Sequence, residues 1–221
     1  DGLRSDARFR AAMTKLSVDL GKSEVELYEQ ATKYMKELIA RPSPMFIDMK
    51  AKLDRFMLSQ GYENEVVFDR KDKTYIDGVT ATDLAYQNDL PLIHLFGGIN
   101  LDFFGLGFML RRAGTIFIRR SFENNPVYKL VLRYYVSYLL EKRFPMTWAF
   151  EGTRSRLGKL MPPRYGLLKY VMDSAHANDV ENVHIIPVVT SFDLIRDVEE
   201  YASEQTGRIK KPESLSWFIG Y

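Results

Sequence analysis

Apolar residues at positions 9, 12, 13, 16 and 20 recur at the spacing of one helical face, so residues 6–20 predict an amphipathic helix that Gly21 stops. Ser23 then offers an N-cap, with Glu26 three residues on as its capping-box partner. The helix it opens runs to about residue 40 and ends before Arg41-Pro42-Ser43-Pro44, where two prolines forbid continuation. A third helix is predicted near 46–59 and closes at Gly61. This N-terminal block carries no evident chemistry. It reads as a helical appendage whose apolar faces pack on the next domain.

From Val66 the pattern changes to short β-prone runs, at 66–68, 91–95, 115–118, 145–150 and 184–190. Helical stretches near 76–88, 104–112, 126–142, 166–177 and 193–204 alternate with them. Such alternation predicts an α/β fold with a mainly parallel central sheet flanked by helices. The division expected is an N-terminal helical region at 1–63 and an α/β domain at 64–221.

Composition narrows the chemistry. A chain of 221 residues with net charge +2 has no overall basic field to argue for nucleic acid, so any anion site must be local. The absence of cysteine removes thiol nucleophiles, Cys-based zinc sites and disulfides. No apolar window reaches the length of a membrane-spanning helix, and no signal peptide is predicted. The chain opens on Asp1 and stops at Gly220-Tyr221, which reads as a fragment of a longer protein, truncated at its C-terminus.

Two strand ends carry candidate chemistry. Pro145-Met146-Thr147-Trp148-Ala149-Phe150 delivers Glu151-Gly152-Thr153-Arg154-Ser155-Arg156, two arginines beside hydroxyls and a carboxylate. Ligand groups gather at such strand ends in open α/β sheets, and paired guanidiniums fork-bind phosphate. Thr115-Ile116-Phe117-Ile118 likewise emerges into Arg119-Arg120, whose side chains leave the pleat in opposite directions. The Gly152–Gly158 spacing is one residue too long for a phosphate-binding P-loop, and Leu160 stands where Ser or Thr must hold magnesium. Gly105-x-Gly107 lacks the third glycine of a dinucleotide fingerprint.

Taken in order, Gly114-x-x-Phe117-Ile118-Arg119-Arg120-Ser121-Phe122, then Phe150-Glu151-Gly152-x-Arg154-Ser155-Arg156, then Ile186-Pro187-Val188 resemble three blocks of the glycerol-3-phosphate 1-O-acyltransferase family. Gly98-Ile99-Asn100-Leu101-Asp102-Phe103-Phe104 and the N-terminal helices look like its bacterial membrane-associated branch. The resemblance covers roughly 66–218. It implies transfer of a fatty acyl group from acyl-CoA or acyl-ACP to the sn-1 hydroxyl of glycerol 3-phosphate, giving lysophosphatidic acid. On that basis Lys73, Arg119, Arg154 and either Arg156 or Arg120 hold the phosphate, Glu151 and Gly152 shape the acceptor site, and Pro187 shapes the wall behind it. Lys73, Arg119 and Arg154 are expected to converge on one pocket. No metal or redox cofactor is implied, because a thioester is already activated. The resemblance implies a place on the cytoplasmic face of the cell membrane, held peripherally.

The family's first block is His-x4-Asp, and here the chain departs from it. Asp72-Lys73-Thr74-Tyr75-Ile76-Asp77 has Asp72 where the family has its histidine. The resemblance makes that histidine the general base and Asp77 the residue that orients it. A carboxylate of ordinary pKa ~3.9 is a far weaker base near neutrality than imidazole at ~6.5. Either Asp72 is an inactivating replacement in an enzyme, or the chain is a non-catalytic relative that binds glycerol phosphate or acyl-CoA without turnover. Thr74-x-x-Asp77 also reads as a capping box. His94, His176 and His184 do not fill the gap and are expected to be structural or surface residues. Finally, Phe103, Phe104 and Phe108 lie in an apolar stretch that ends in Arg111-Arg112, which reads either as core packing or as an interfacial membrane contact.

Overall fold

The computed structural model describes residues 2–43, 48, 85–103, 106–152 and 161–188. The chain begins with a short helix, α1 (Gly2–Ser5), and two longer ones, α2 (Ala7–Leu20) and α3 (Glu24–Leu38). Asp6 opens α2, its carboxylate accepting from the N–H groups of Arg8 and Phe9, and Gly21 closes it in left-handed geometry at φ 61°. Ser23 Oγ caps α3 by accepting from Glu26 N–H at 3.3 Å. The Glu26 carboxylate of the expected capping box is engaged by Lys22 Nζ at 2.6 Å and Gln30 Nε2 at 3.2 Å.

Strands and helices then alternate: β1 (His94–Gly98), a 3-10 turn (Ile99–Leu101), α4 (Leu106–Arg112), β2 (Thr115–Ile118), α5 (Pro126–Glu141), β3 (Met146–Thr147) and α6 (Gly166–Ala177). β1 lies in the middle of the sheet and pairs in parallel with both neighbours, in the order β2-β1-β3. Gly98 stands beside Ile118, and Leu95 stands between Thr115 and Thr147. All strands therefore leave the sheet at the same edge. The parallel α/β architecture behind an N-terminal set of helices is the one that the alternating pattern predicts.

Three expectations are corrected, the first being the strand predicted at 145–150, which pairs only at Met146–Thr147. The strand predicted at 91–95 sits at His94–Gly98. Pro91 has no N–H to give a ladder, and the pairing starts where His94 N–H meets Pro145 C=O at 2.8 Å. It continues through Gly97 and Gly98, because Phe117 and Ile118 of β2 align with them. The strand predicted at 184–190 is absent over its described part, where 184–188 is irregular and Ile186 and Val188 are nearly four-fifths exposed. An apolar run becomes a strand only when another strand takes its backbone groups. The runs predicted at 66–68, 46–59 and 193–204 lie outside the described residues, apart from Asp48, which is helical.

The core centres on α5, whose Val127, Tyr128, Val131, Leu132, Tyr135, Val136, Leu139 and Leu140 are buried. Phe9 and Met13 of α2, Leu27, Ala31 and Leu38 of α3, Phe96, Ile116 and Val171 join the same cluster. Helices and sheet thus share one interior. The Tyr135 hydroxyl reaches across it to accept from Ala40 N–H at 3.2 Å, and burial pushes its pKa up to about 12. The boundary expected between residues 63 and 64 lies outside the described residues.

His94, at the start of β1, is only 4% exposed and packs its ring 4.9 Å from Phe144, with Nδ1 buried and unpartnered among the described residues. Burial pushes its pKa below the ordinary value, so the folded chain holds it neutral. On acidification the unfolded chain binds this proton first, at about pH 6.5, and folding loses stability from there downward. Asp6, held below its usual range by Arg8, withdraws stability only below the ordinary value of 3.8, so the two windows separate. Denaturant midpoints between about pH 5 and 7 are expected to fall with acid in the parent chain. In His94→Phe the fall across that window should flatten.

Candidate active site

The parallel register sets the site's position. β2 and β3 flank β1, so the chain segments that follow them leave one sheet edge roughly 10 Å apart, two strand spacings. Arg119 and Arg120 follow β2, whereas Trp148, Glu151 and Gly152 follow β3. The carboxyl edge of a parallel sheet is where α/β folds bind ligands.

Arg119 is held on several sides. Its Nε donates to Glu37 Oε2 at 2.9 Å and its Nη2 to Glu37 Oε1 at 2.8 Å, a bidentate pair with the last turn of α3. The guanidinium carbon lies 4.8 Å from the ring centre of Tyr34 and 5.3 Å from that of Tyr128. Arg119 N–H donates to the Tyr128 hydroxyl at 3.0 Å, and Asn125 Nδ2 donates to the Tyr34 hydroxyl at 2.8 Å. The Glu37 carboxylate pushes the Arg119 pKa further up, so the charge is permanent. The side chain nevertheless stays 32% exposed. Arg120 is exposed, so the adjacent arginines split between a carboxylate and solvent.

The turn after β3 is built on its own backbone. Gly152 N–H donates to Ala149 C=O at 3.1 Å, and Arg164 N–H donates to Phe150 C=O at 2.7 Å. Gly152 has φ +63°, and a Cβ there would come within 2.9 Å of Arg164 Cδ. The Phe150 ring meets Tyr165 edge-on at 5.8 Å. At this turn Glu151 Oε2 and Trp148 Nε1 are buried without hydrogen-bond partners among the described residues. A buried carboxylate oxygen lacking a donor is costly, and a ligand hydroxyl would satisfy it.

The remaining expectations divide. Asp72, Lys73, Asp77, Phe104, Arg154 and Arg156 lie outside the described residues, so the convergence of Lys73 and Arg154 with Arg119 is not described. Pro187 stands in the exposed irregular segment after α6. Phe103 is half-buried, whereas Phe108 on α4 is 62% exposed with the Arg112 guanidinium 4.4 Å above its ring. Arg111 was expected beside Arg112 at a lipid surface, and that expectation is corrected. Its Nη1 donates to Glu37 C=O at 2.7 Å and Ile39 C=O at 3.1 Å, its Nη2 pairs with Asp102, and it stacks on Phe117. Arg111 closes the C-terminal end of α3, where carbonyls lack helical partners.

Glu37 and Arg164 were missed in the sequence. Glu37 lies 82 positions from its partner, on a helix that shows no chemistry of its own. Arg164 follows Pro162-Pro163, and nothing in the local pattern marks it. His94 is the buried structural residue expected, and His176 and His184 are exposed. Among the described residues no group of three or more His, Asp or Glu converges as a metal site. Among the same residues no helix is long and apolar enough to cross a membrane.

A parallel α/β sheet with a fixed guanidinium and a buried carboxylate at its carboxyl edge has the layout of an α/β enzyme's active site. The sequence profile of the acyltransferase family matches residues 73–191, more than half of the chain, and the chain belongs to that family. It is 31% identical over 231 residues to a protein of Mycobacterium tuberculosis provisionally named acyltransferase plsB1, covering 97% of this chain and 36% of the relative. A Mycobacterium bovis protein of the same name matches equally. The glycerol-3-phosphate acyltransferase of Shewanella putrefaciens is 27% identical over 237 residues, 100% of this chain and 29% of that protein. The chain spans about a third of the length of these curated relatives.

Gly152→Ala is expected to destabilise the fold by about 1–2 kcal/mol, the cost of left-handed backbone for a residue with a Cβ. Thermal unfolding with Gly152→Asn alongside checks it. Asn tolerates this conformation better and should lose less.

Proposed function

We propose that this chain is built to transfer a fatty acyl group from an acyl-CoA or acyl-ACP thioester to the sn-1 hydroxyl of glycerol 3-phosphate, giving lysophosphatidic acid, and that Asp72 is an inactivating replacement of the family's histidine in it. The observation that carries the reading is the parallel register, which brings Arg119 and the Glu151-Gly152 turn to one sheet edge. Membership of the acyltransferase family supports the reaction type, and the name of the Shewanella relative supports the acceptor.

The chemistry divides into holding and attack. Arg119 and, by their motifs, Lys73, Arg154 and Arg156 or Arg120 would bind the phosphate. Glu151 Oε2 would accept a hydrogen bond from a glycerol hydroxyl and fix the acceptor's orientation. The sn-1 oxygen then attacks the thioester carbonyl as its proton passes to the group at position 72, a histidine in the family and the much weaker base Asp72 in this chain. The tetrahedral intermediate collapses, the C–S bond breaks, and the thiolate takes up a proton as it leaves. One ester is formed for each thioester consumed. The thioester is activated in itself, so the reading requires no metal or redox cofactor.

The proposed workplace is a membrane surface, met peripherally from the cytoplasmic side. Phe108 and Met109, both exposed on α4, and the neighbouring Arg112 support an interfacial contact. Half-buried Phe103 would contribute less, and Phe104 belongs to the same stretch.

A second reading is favoured by one residue. Asp72 in the position of the family's histidine suits a relative that binds glycerol phosphate or acyl-CoA without turnover. Acyl transfer to glycerol 3-phosphate, assayed for the chain as it stands and for Asp72→His, separates the two. If position 72 holds the base, Asp72→His is expected to be faster by about 10²–10⁴-fold, with the gain largest above pH ~6.5, where imidazole is neutral. Equal rates across pH would show that position 72 is not the base. For the membrane contact, Phe108→Ser is expected to weaken binding to anionic lipid vesicles roughly five- to thirtyfold, in line with the apolar area still exposed on that ring. Vesicle flotation checks it, and unchanged partition would remove α4 as the contact.

A further inference from the structure

We infer that Glu37, on the N-terminal helix α3, is a positioning residue that aims Arg119 at the acceptor's phosphate. This rests on the proposed reading of Arg119 as a phosphate ligand. Glu37 engages the Nε–Nη2 edge of the guanidinium, so the Nη1–Nη2 edge is not part of that pair. The rings of Tyr34 and Tyr128 lie against the same guanidinium, and about a third of the Arg119 side chain remains open to solvent. An arginine on a flexible stem loses considerable rotamer freedom on binding an anion. Here α3 and α5 have already imposed that loss, so a planar fork is presented in one orientation.

The support extends behind Glu37. Arg111 donates to the carbonyls of Glu37 and Ile39, which fixes the end of α3 from which the carboxylate projects. Asn125 caps α5 through Tyr128 N–H and also donates to the Tyr34 hydroxyl, which ties the two rings together. Every contact is made through Arg119 or its supports. The helical N-terminal region therefore contributes a residue to a site otherwise built from the sheet edge.

Charge alone would give the opposite result to positioning. Glu37 is an anion near the proposed anion site, so deleting its charge without any change in geometry would tighten phosphate binding. Positioning predicts that Glu37→Gln, which cannot form the same bidentate ion pair, weakens it.

The test is titration calorimetry of sn-glycerol 3-phosphate into the full chain, compared with Glu37→Gln, Glu37→Ala, Arg119→Ala and the double variant Glu37→Gln/Arg119→Ala. Thermal melting runs in parallel to show that each variant is folded at the assay temperature. Glu37→Gln is expected to weaken binding roughly tenfold, and Glu37→Ala at least as much, the scale of losing one oriented charge-assisted contact. The double variant should bind no worse than Arg119→Ala, because Glu37 acts only through Arg119. Binding tightened or unchanged by both Glu37 variants would overturn the inference, as would additive losses in the double variant. If Arg119→Ala itself leaves binding unchanged, the reading of Arg119 as a phosphate ligand fails instead. A variant too unstable to titrate is replaced by Glu37→Asp, whose shorter carboxylate should give a loss between those of the parent and Glu37→Ala.

Discussion

The burial of α5 is the constraint that the rest of the fold satisfies. This helix carries apolar side chains over most of its circumference, including Val127, Val131, Leu132, Val136 and Leu139, none of them more than 2% exposed. A helix with so broad an apolar face, leaving only the stripe through Arg133, Tyr138 and Glu141 to solvent, must be covered on most sides. The sheet alone covers one side of it. α2, α3 and α6 supply the others, through Phe9, Met13, Leu27, Leu38 and Val171. The N-terminal helices are thus wanted by the core before any question of chemistry arises. Once they are there, the last turn of α3 lies beside the end of β2, within reach of Arg119.

Legibility in the sequence followed local punctuation. Asn125-Pro126 starts α5 with a cap and a proline at the first helical position, and the span read from the sequence agrees closely with the observed one. α6 and β2 likewise fall on the spans 166–177 and 115–118 that the local pattern predicts. β1 was displaced because strand limits depend on the partner's register, and a pair of glycines reads as an end unless that partner is known. The run at 184–188 failed for the same reason in reverse: apolar composition describes what a strand can bury, not whether it has a neighbour. Locally closed elements can be read from one segment, whereas paired ones require two.

The site divides along the same line. Arg119 and the Glu151-Gly152 turn were visible because both lie at strand ends, where α/β chemistry gathers. Arg111 was misassigned because a basic residue after an apolar stretch looks the same whether it meets lipid or a helix C-terminus. Only the fold brings it to the carbonyls of Glu37 and Ile39. Glu37 itself carries no local signal, since α3 shows an ordinary amphipathic pattern with charged residues on its outer face. Contacts across long sequence separations are created by packing, and no periodicity announces them.

The electrostatic character of the site stems from the near-neutral chain. With a net charge of +2 there is little long-range field to draw in the phosphorylated substrate proposed above, so its recognition would be made at contact. A guanidinium already paired to a carboxylate is weak at a distance and specific close up, because its remaining donors point one way. For the proposed reaction that is the useful property. The phosphate lies remote from the hydroxyl that attacks, and its binding matters for rate only insofar as it fixes that hydroxyl against the thioester carbonyl. A loose cation would hold the substrate without aiming it. Arg119 is joined by Glu37 to α3 and by its flanking tyrosines to α3 and α5, so the rigidity of the α5-centred core is carried to the sheet edge. The burial that stabilises the fold is also what makes the fork directional.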